Sequence, residues 1–187
     1  LAVQVVRIVL FLSNSYDLFP EFLTYLAVPA NLDVLANRPW TLVTYMFLHE
    51  SFLHILFNML WLYWFGMIFL KFLSQKKLLS VYLLGGLSGG LLYVISYNIF
   101  PALIEFKSVS LALGASASVM AVVFASTTIA PNYEVYIPFI KNVKIKYIAV
   151  FFVATDIMSI PLGNAGGHIA HLGGALLGYY YIVQHKK

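Results

Sequence analysis

Long apolar runs alternate with short polar segments along the chain, and this pattern predicts membrane-spanning helices. Each run is bounded by charged residues, proline or asparagine, and most are close to the roughly 20 residues that a helix needs to cross a bilayer core. Five complete spans are predicted, near residues 52–70, 78–100, 111–130, 147–162 and 167–183. The pattern therefore predicts an all-α membrane protein.

The first 51 residues follow a different pattern. The opening LAVQVVRIVLFL is too short to cross a bilayer and lacks the cleavage pattern of a signal peptide. We interpret it as the end of a truncated first helix, which makes a bundle of six transmembrane helices. Residues 13–51 are too polar and too rich in proline to span, and we expect an interfacial loop. Nothing marks a second domain, so residues 1–187 are predicted to form one membrane domain.

The composition also favours a location in a bilayer, and the positions of the basic residues predict the orientation of the chain there. Hydrophobic residues make up 61% of the sequence and charged residues only 10%, which excludes an ordinary soluble domain. Most of the basic residues lie on one predicted side, namely Lys71, Lys76, Lys77, Lys141, Lys144, Lys146, Lys186 and Lys187. By the positive-inside rule both termini are then cytoplasmic. Because these lysines are spread over three segments, they do not form a nucleic-acid-binding stripe.

Polar residues inside predicted spans are functional candidates, since burying them in hydrocarbon is costly. Three groups fall toward the same, non-cytoplasmic side: His54 with Asn58, Ser116 with Ser118, and His171 with the small residues Gly174 and Gly178. A serine, a histidine and two side-chain donors are the parts of an acyl-transfer site: nucleophile, general base and oxyanion hole. Asp156 is the only acid inside a span, and we expect no carboxylate to orient the base, hence a Ser-His dyad.

At these residues the sequence resembles the rhomboid family of intramembrane serine proteases. The matching segments are HILFN on the second helix, GAS on the fourth and AHLGGALLG on the sixth, and the resemblance runs from RPWTLVTYMFLH nearly to the end of the chain. It implies that Ser116 is the nucleophile and His171 the base. It also implies an oxyanion hole formed by His54, Asn58 and the backbone N–H of Ser116.

The resemblance assigns further roles near the site. Gly114, Gly174 and Gly178 allow close backbone approach, and His49 is expected to be a structural or water-retaining histidine. Ala117 stands where the family usually has glycine. Met120 occupies a place where an aromatic ring often packs against the catalytic imidazole, and its thioether can make a similar contact.

The implied activity is cleavage of a transmembrane segment of a membrane-protein substrate, without a cofactor and without metal. The partners are then the substrate and the lipid bilayer, and the expected location is a bacterial inner membrane. The resemblance also implies that the fifth helix, around FFVATDIMSIPLG, moves to admit substrate laterally, and that water enters through a polar mouth formed by His49, Glu50, Asn164 and His168.

Other interpretations of single residues were weighed. His168 is expected to face water, and Ser118 to serve in packing. His168 and His171 together could ligate a metal or haem, but HExxH and cysteine are absent from the sequence and carboxylates are scarce near the pair.

Two other classes of protein stay open. A proteolytically inactive rhomboid-like protein that binds membrane clients would keep the fold without the chemistry, and Ala117 is the feature that keeps this possibility open. A small transporter or channel should show matched broken helices or several intramembrane charges, and Asp156 alone is thin support for it.

Overall fold

The computed structural model describes residues 2–137 and 141–185, and these residues are mostly helical. In chain order the elements are α1 Ala2–Leu12, α2 Phe19–Leu26, β1 Val28–Pro29, α3 Leu32–Asn37, α4 Thr41–Thr44, α5 Phe52–Leu70, α6 Gln75–Ile99, α7 Pro101–Ile104, β2 Leu111–Ala112, α8 Ser116–Ile129, β3 Glu134–Ile137, β4 Lys141–Lys144, α9 Ile145–Ser159 and α10 Ala165–His185. Lys186 and Lys187, which helped to orient the chain, lie outside the described residues.

Each of the five complete predicted spans overlaps one helix, namely α5, α6, α8, α9 and α10 in chain order. Within the described residues, three stretches are long and apolar enough to cross a bilayer: α5, α6, and α9 with the 3-10 turn that extends it to Leu162. Helix α10 has 21 residues, but its histidines and glycines lower its apolar character. Helix α8 has only 14 residues, or about 21 Å of rise. The membrane-embedded helical class is thus confirmed, whereas the count of six spans stays a prediction.

Helix α8 lies at the centre of the bundle. Every side chain from Ala117 to Val123 is buried, and the helix packs against α5, α6, α9 and α10. A helix that is apolar on all sides is expected in such an interior position. The central helix is thus shorter than α5, α6 and α10, and it begins at Ser116.

Helices α8 and α10 approach each other with backbone in direct contact. A Cβ atom on Gly174 would overlap the carbonyl group of Ala117, and one on Gly178 would overlap that of Ala121. Small residues four apart on one helix face make such an approach possible, since nothing projects between the two backbones. This contact fixes α10 against the first two turns of α8.

Helix α6 packs against α8 and α10 in the same way. Its glycines Gly85 and Gly89 face the methyl groups of Ala121 and Ala117. The hydroxyl of Ser88 adds a hydrogen bond of 3.0 Å to the carbonyl of Gly173 on α10. The paired glycines of α6 therefore serve helix packing, as the small-residue spacing predicts.

Residues 13–51 form a folded unit with its own short helices, which is more structure than the predicted loop implied. Strand β1 pairs antiparallel with β2, with Val28 opposite Ala112. The indole of Trp40 donates a hydrogen bond of 3.0 Å to the carbonyl of Tyr25. The carbonyl of Tyr45 accepts from the backbone N–H of Gly114 at 2.9 Å, just before α8. The folded loop thus holds the segment that leads into α8.

The lysine-rich turns lie together at the opposite end. The Lys71 ammonium donates a hydrogen bond of 2.5 Å to the Tyr133 hydroxyl, which joins the end of α5 to the segment after α8. Strands β3 and β4 pair antiparallel, with Glu134 opposite Lys144, directly before α9. The lysines of these segments, among them Lys71 and Lys144, thus lie at one end of the bundle, as the charge pattern predicts.

The glycine contacts predict opposite effects for two Gly→Ala changes. Gly178→Ala should destabilise the protein by about 1–3 kcal/mol because its methyl group meets backbone, which has no room to move. Gly66→Ala on α5 is the matched control, since its Cβ would find its nearest neighbour at an ordinary 3.8 Å. It should be neutral or stabilising by up to about 1 kcal/mol. Unfolding of both variants in one detergent checks this, and equal losses would contradict it.

Candidate active site

The loop before α8 brings Ser116 next to His54. Gly114 has φ of +128°, a backbone conformation that favours glycine because it lacks a Cβ atom. A Cβ atom there would lie 3.0 Å from Nε2 of His54 and 3.7 Å from Oγ of Ser116. The imidazole of His54 and the hydroxyl of Ser116 therefore flank the same glycine, across the gap between α5 and α8.

The position of Ser116 at the start of a helix gives the site a local positive field. The first backbone N–H groups of α8 have no partner within the helix, and the helix dipole adds partial positive charge at this end. An anion that forms beside Ser116 is stabilised by both effects.

Ser116 and His171 both line two cavities. One cavity of about 200 Å³ lies between α5, α8, α9 and α10, and it is also lined by Asn58, Trp61 and Phe152. Its remaining lining residues are Val119, Met120, Val123, Thr155 and Asp156. We call it the inner cavity.

The second cavity, of about 340 Å³, opens toward the folded loop and is lined by Glu50, His54 and Asn164 as well as Ser116 and His171. We call it the outer cavity. It contains two of the four residues of the predicted polar mouth, Glu50 and Asn164. The serine and the histidine thus stand where a polar cavity and a largely apolar one meet, which is where water and an apolar chain can both reach them.

Asp156 on α9 corrects the expectation that no carboxylate orients the base. Its Oδ1 atom lies 2.9 Å from Nδ1 of His171. Because a carboxylate oxygen can only accept, this ring nitrogen carries the hydrogen and donates it. The other nitrogen, Nε2, is then free of hydrogen and able to accept a proton. The prediction was wrong because Asp156 is 15 residues from His171 in sequence, and only the packing of α9 on α10 brings them together.

His168 also differs from its predicted environment. Its Nδ1 atom lies 2.8 Å from the same Oδ1 atom of Asp156, and its side chain is 23% exposed. The expected solvated histidine is therefore a second donor to the buried carboxylate, with the rest of its ring partly in contact with solvent. Its spacing of three residues from His171 puts both rings on the α9 side of α10.

The same three side chains have the residue types of a metal site, and their ligand atoms lie within 4.8 Å of one another. The two short distances are those of N–H···O hydrogen bonds, however, and they pair Nδ1 of each histidine with Oδ1 of the carboxylate without an ion. Hydrogen bonding is the simpler account of the cluster.

The structure shows what surrounds Ala117 and Met120, the two residues at which the sequence differs from the usual family pattern. The methyl group of Ala117 points toward α6, where Gly89 leaves room for it, and Ala117 is 1% exposed. Its methyl group therefore packs between helices as well as lying close to the outer cavity. Met120 is buried and lines the inner cavity with His171. Ser118 is fully buried and lines neither cavity, in agreement with a packing role.

His49 is a buried neighbour of His54, with ring centroids 5.1 Å apart in an edge-to-face arrangement. Its ring nitrogens are buried and make no well-formed hydrogen bond among the described residues. Burial, with the nearby His54, lowers the pKa of His49 to about 4, because desolvation disfavours the charged ring. His49 is thus a neutral packing residue behind the oxyanion side of the site, and it does not line the outer cavity.

The chain belongs to the rhomboid family. The Rhomboid domain matches residues 36–185. RHOMBOID-like protein 12, mitochondrial, of Arabidopsis thaliana is 32% identical over 149 residues, which cover 75% of this chain and 44% of that protein. Presenilin-associated rhomboid-like protein A, mitochondrial, of Danio rerio is 32% identical over 78% of this chain and 37% of its own length. Rhomboid protease GlpG of Pectobacterium atrosepticum is 36% identical over 90 residues, 48% of this chain and 32% of its own.

These comparisons confirm the resemblance and the membrane location. The chain spans less than half the length of the curated relatives it matches. The matched domain leaves out residues 1–35, so a single domain over 1–187 stays a prediction. Two of the three relatives carry mitochondrial names, and this conflicts with the expected bacterial inner membrane.

The lowered pKa of His49 predicts a pH dependence of stability. Between pH 6.5 and about pH 4 the unfolded state binds a proton at His49 that the folded state does not, so stability falls as the pH decreases through this window. His49→Met cannot titrate and should lose less stability over the same window. Unfolding midpoints of both proteins in detergent at pH 7.5 and pH 5 test this. A parallel decrease in both would contradict the assignment.

Proposed function

We propose that this protein is an intramembrane serine endopeptidase that cleaves transmembrane segments of membrane proteins. The observation that carries the proposal is that Ser116 and His171 line the same two cavities, one largely apolar and one polar. Membership of a family that includes a named protease supports it. The nucleophile is Ser116 and the general base is His171.

The base works through its two different nitrogens. Nδ1 of His171 donates to Asp156, so Nε2 is the atom that takes the proton of the Ser116 hydroxyl. Removal of this proton turns a weak nucleophile into one that attacks a peptide carbonyl. The carboxylate of Asp156 also stabilises the imidazolium that forms, because its negative charge is hydrogen-bonded to the ring that gains the positive charge.

The oxyanion is stabilised from three directions. As Oγ of Ser116 bonds to the carbonyl carbon, the carbonyl oxygen takes the negative charge. The backbone N–H of Ser116, at the start of α8, and the side chains of His54 and Asn58 on α5 then donate hydrogen bonds to it. His49 holds the His54 ring from behind through the edge-to-face contact.

The remaining steps return the enzyme to its starting state. The tetrahedral intermediate collapses, the C–N bond breaks, and His171 gives its proton to the leaving amine. A water molecule from the outer cavity then attacks the acyl-enzyme, with His171 again as the base. The C–Oγ bond of the acyl-enzyme then breaks and His171 returns the proton to Oγ, which leaves a free carboxylate on the substrate and the neutral hydroxyl of Ser116.

The substrate is proposed to be an apolar helix that unwinds near its cleavage site. The inner cavity of about 200 Å³ can take a side chain next to the scissile bond. The rings of Trp61 on α5 and Phe152 on α9 both line it and are in edge-to-face contact, with centroids 4.8 Å apart. We propose that substrate enters between these two helices. Residues that weaken helices should favour cleavage, since the scissile bond must leave its helical hydrogen bonds.

The lysine-rich end of the bundle is proposed to face the compartment from which the chain inserts, by the positive-inside rule. The site then opens toward the other side of the membrane. Because Ser116 lines cavities between the helices, cleavage is proposed to take place within the depth of the bilayer or at its outer boundary.

The proposal predicts that Ser116→Ala abolishes cleavage. In lipid vesicles with a panel of transmembrane substrates, the rate should decrease at least about 1,000-fold, because no other group supplies the nucleophile. Ser118→Ala is the matched control: it removes a hydroxyl two residues away that lines neither cavity, and it should cleave at close to the wild-type rate.

Labelling by a fluorophosphonate separates an inactive enzyme from an unsuitable substrate. Wild type should be labelled at Ser116, and Ser116→Ala should not. If wild type neither cleaves nor is labelled, while it binds membrane proteins and keeps its fold, the protein is a client-binding member of the family and the proposal is wrong.

A second prediction concerns the oxyanion hole. Asn58→Ala should lower kcat by about 100-fold with little change in KM, because its hydrogen bond is made mainly in the transition state. Asn142→Ala is the control, since this exposed asparagine lies in β4 at the lysine-rich end. Kinetics in one vesicle composition test the pair. A rise in KM at unchanged kcat would assign Asn58 to substrate binding instead.

A further inference from the structure

The Asp156 carboxylate is buried among membrane helices and receives both of its described hydrogen bonds from histidines. Its side chain is 9% exposed, and Oδ1 accepts from Nδ1 of His168 at 2.8 Å and from Nδ1 of His171 at 2.9 Å. Burying a carboxylate in this environment costs several kcal/mol unless its charge is satisfied. An acid kept here at such a cost needs a structural or chemical reason.

The geometry gives a chemical reason. A neutral imidazole has two tautomers, and only the form with hydrogen on Nδ1 leaves Nε2 able to accept a proton. The hydrogen bond to Asp156 selects that form for His171 and fixes the direction of its ring. Ser116 and His171 line the same cavities. Nε2 of His171 is therefore the atom available to accept the proton of the Ser116 hydroxyl.

His168 acts on the same oxygen atom. Its ring stands almost perpendicular to that of His171, at 87°, with centroids 6.0 Å apart. Two donors that approach one oxygen from different directions limit its movement more than one donor does. They also share the negative charge of the carboxylate between two donors.

We propose that Asp156 is a positioning residue that makes the serine–histidine pair a Ser-His-Asp arrangement, and that His168 holds Asp156 in place. Asp156 acts on the reaction only through His171, and His168 acts only through Asp156. The kinetic part of this inference rests on the proposed protease function. The part that concerns the tautomer of His171 does not.

Asp156→Asn tests the first link. The amide keeps the size of the side chain, but its NH₂ group can donate to Nδ1 of His171 and so favour the wrong tautomer. We expect kcat to decrease at least about 100-fold while KM stays within about twofold. An exposed acid provides the control: Asp33→Asn removes the same charge outside the bundle core and should leave both constants unchanged.

A pair of variants at His168 tests the second link. His168→Asn retains a donor N–H close to the place of Nδ1, whereas His168→Leu has none. We expect His168→Leu to lower kcat by about 10-fold and His168→Asn to recover most of that loss. Equal effects of the two variants, at equal stability, would overturn the role of His168, because a purely structural role does not depend on the donor.

Nitrogen NMR of histidine-labelled protein in micelles at pH 8 reads the tautomer directly. The His171 signals, assigned by their loss in His171→Ala, should report hydrogen on Nδ1 in wild type and a change of tautomer in Asp156→Asn. This result is independent of proteolysis, so an inactive wild type would contradict the proposed function and still leave this inference tested.

Two results would overturn the inference. One is an Asp156→Asn protein with wild-type kcat and an unchanged His171 tautomer. The other is a stoichiometric metal ion in the purified protein whose removal by a chelator shifts the His168 and His171 signals, because the cluster would then be a metal site. If Asp156→Asn does not fold, the His168 pair and the wild-type tautomer decide the question.

Discussion

The close backbone contact between α8 and α10 is the constraint on which the rest of the structure depends. Glycines four residues apart on α10 lie against carbonyl groups of α8, with no side chain between them. In lipid, such packing contacts supply much of the energy that holds helices together. The reason is that lipid tails are as apolar as the helix surfaces, so the hydrophobic effect does not favour helix–helix contacts over helix–lipid contacts. Ser116, the proposed nucleophile, begins α8, and His171, the proposed base, lies one turn before the first of these glycines. The packing that stabilises the bundle therefore also sets the distance between the reacting groups.

The buried carboxylate of α9 presents the opposite situation, a polar interaction that is retained in an unfavourable environment. Hydrogen bonds in a low dielectric are strong when every partner is satisfied and costly when one is missing. Asp156 and its two histidines satisfy one another. Such a set of hydrogen bonds occupies Nδ1 of His171 and leaves Nε2 for the proposed proton transfer from Ser116. Stability and chemistry here depend on the same two hydrogen bonds.

Much of the fold could be predicted from the sequence, because apolar runs and lysine positions follow directly from the physics of the bilayer. The relation between His54 and Asn58 could also be predicted, since a spacing of four residues places both on one helix face. Asp156 was assessed incorrectly because its role depends on how α9 packs on α10, which no spacing within one helix reveals. One feature of the sequence could have indicated this. An acid inside a span that has no hydrogen-bonding partner within the same span is expected to have a partner on another helix.

The folded loop of residues 13–51 was missed for a related reason. Its helices are short, and its strand β1 pairs with β2, more than 80 residues later. Contacts of this range leave little trace in local hydrophobic periodicity.

His171, the proposed base, and Asp156, the carboxylate proposed to orient it, belong to different helices. Helix α10 is fixed by glycine contacts with its neighbours, whereas α9 has only three buried residues among its 15. A movement of α9 away from the bundle would carry Asp156 with it and release both histidines. The proposed catalytic site is therefore complete only while α9 is packed against the bundle, so the helix beside the proposed substrate route also controls whether the site can act. While α9 is away, the His171 ring would no longer be held by Asp156 and could turn away from Ser116. The open bundle would then be unable to carry out the proposed reaction until α9 returned.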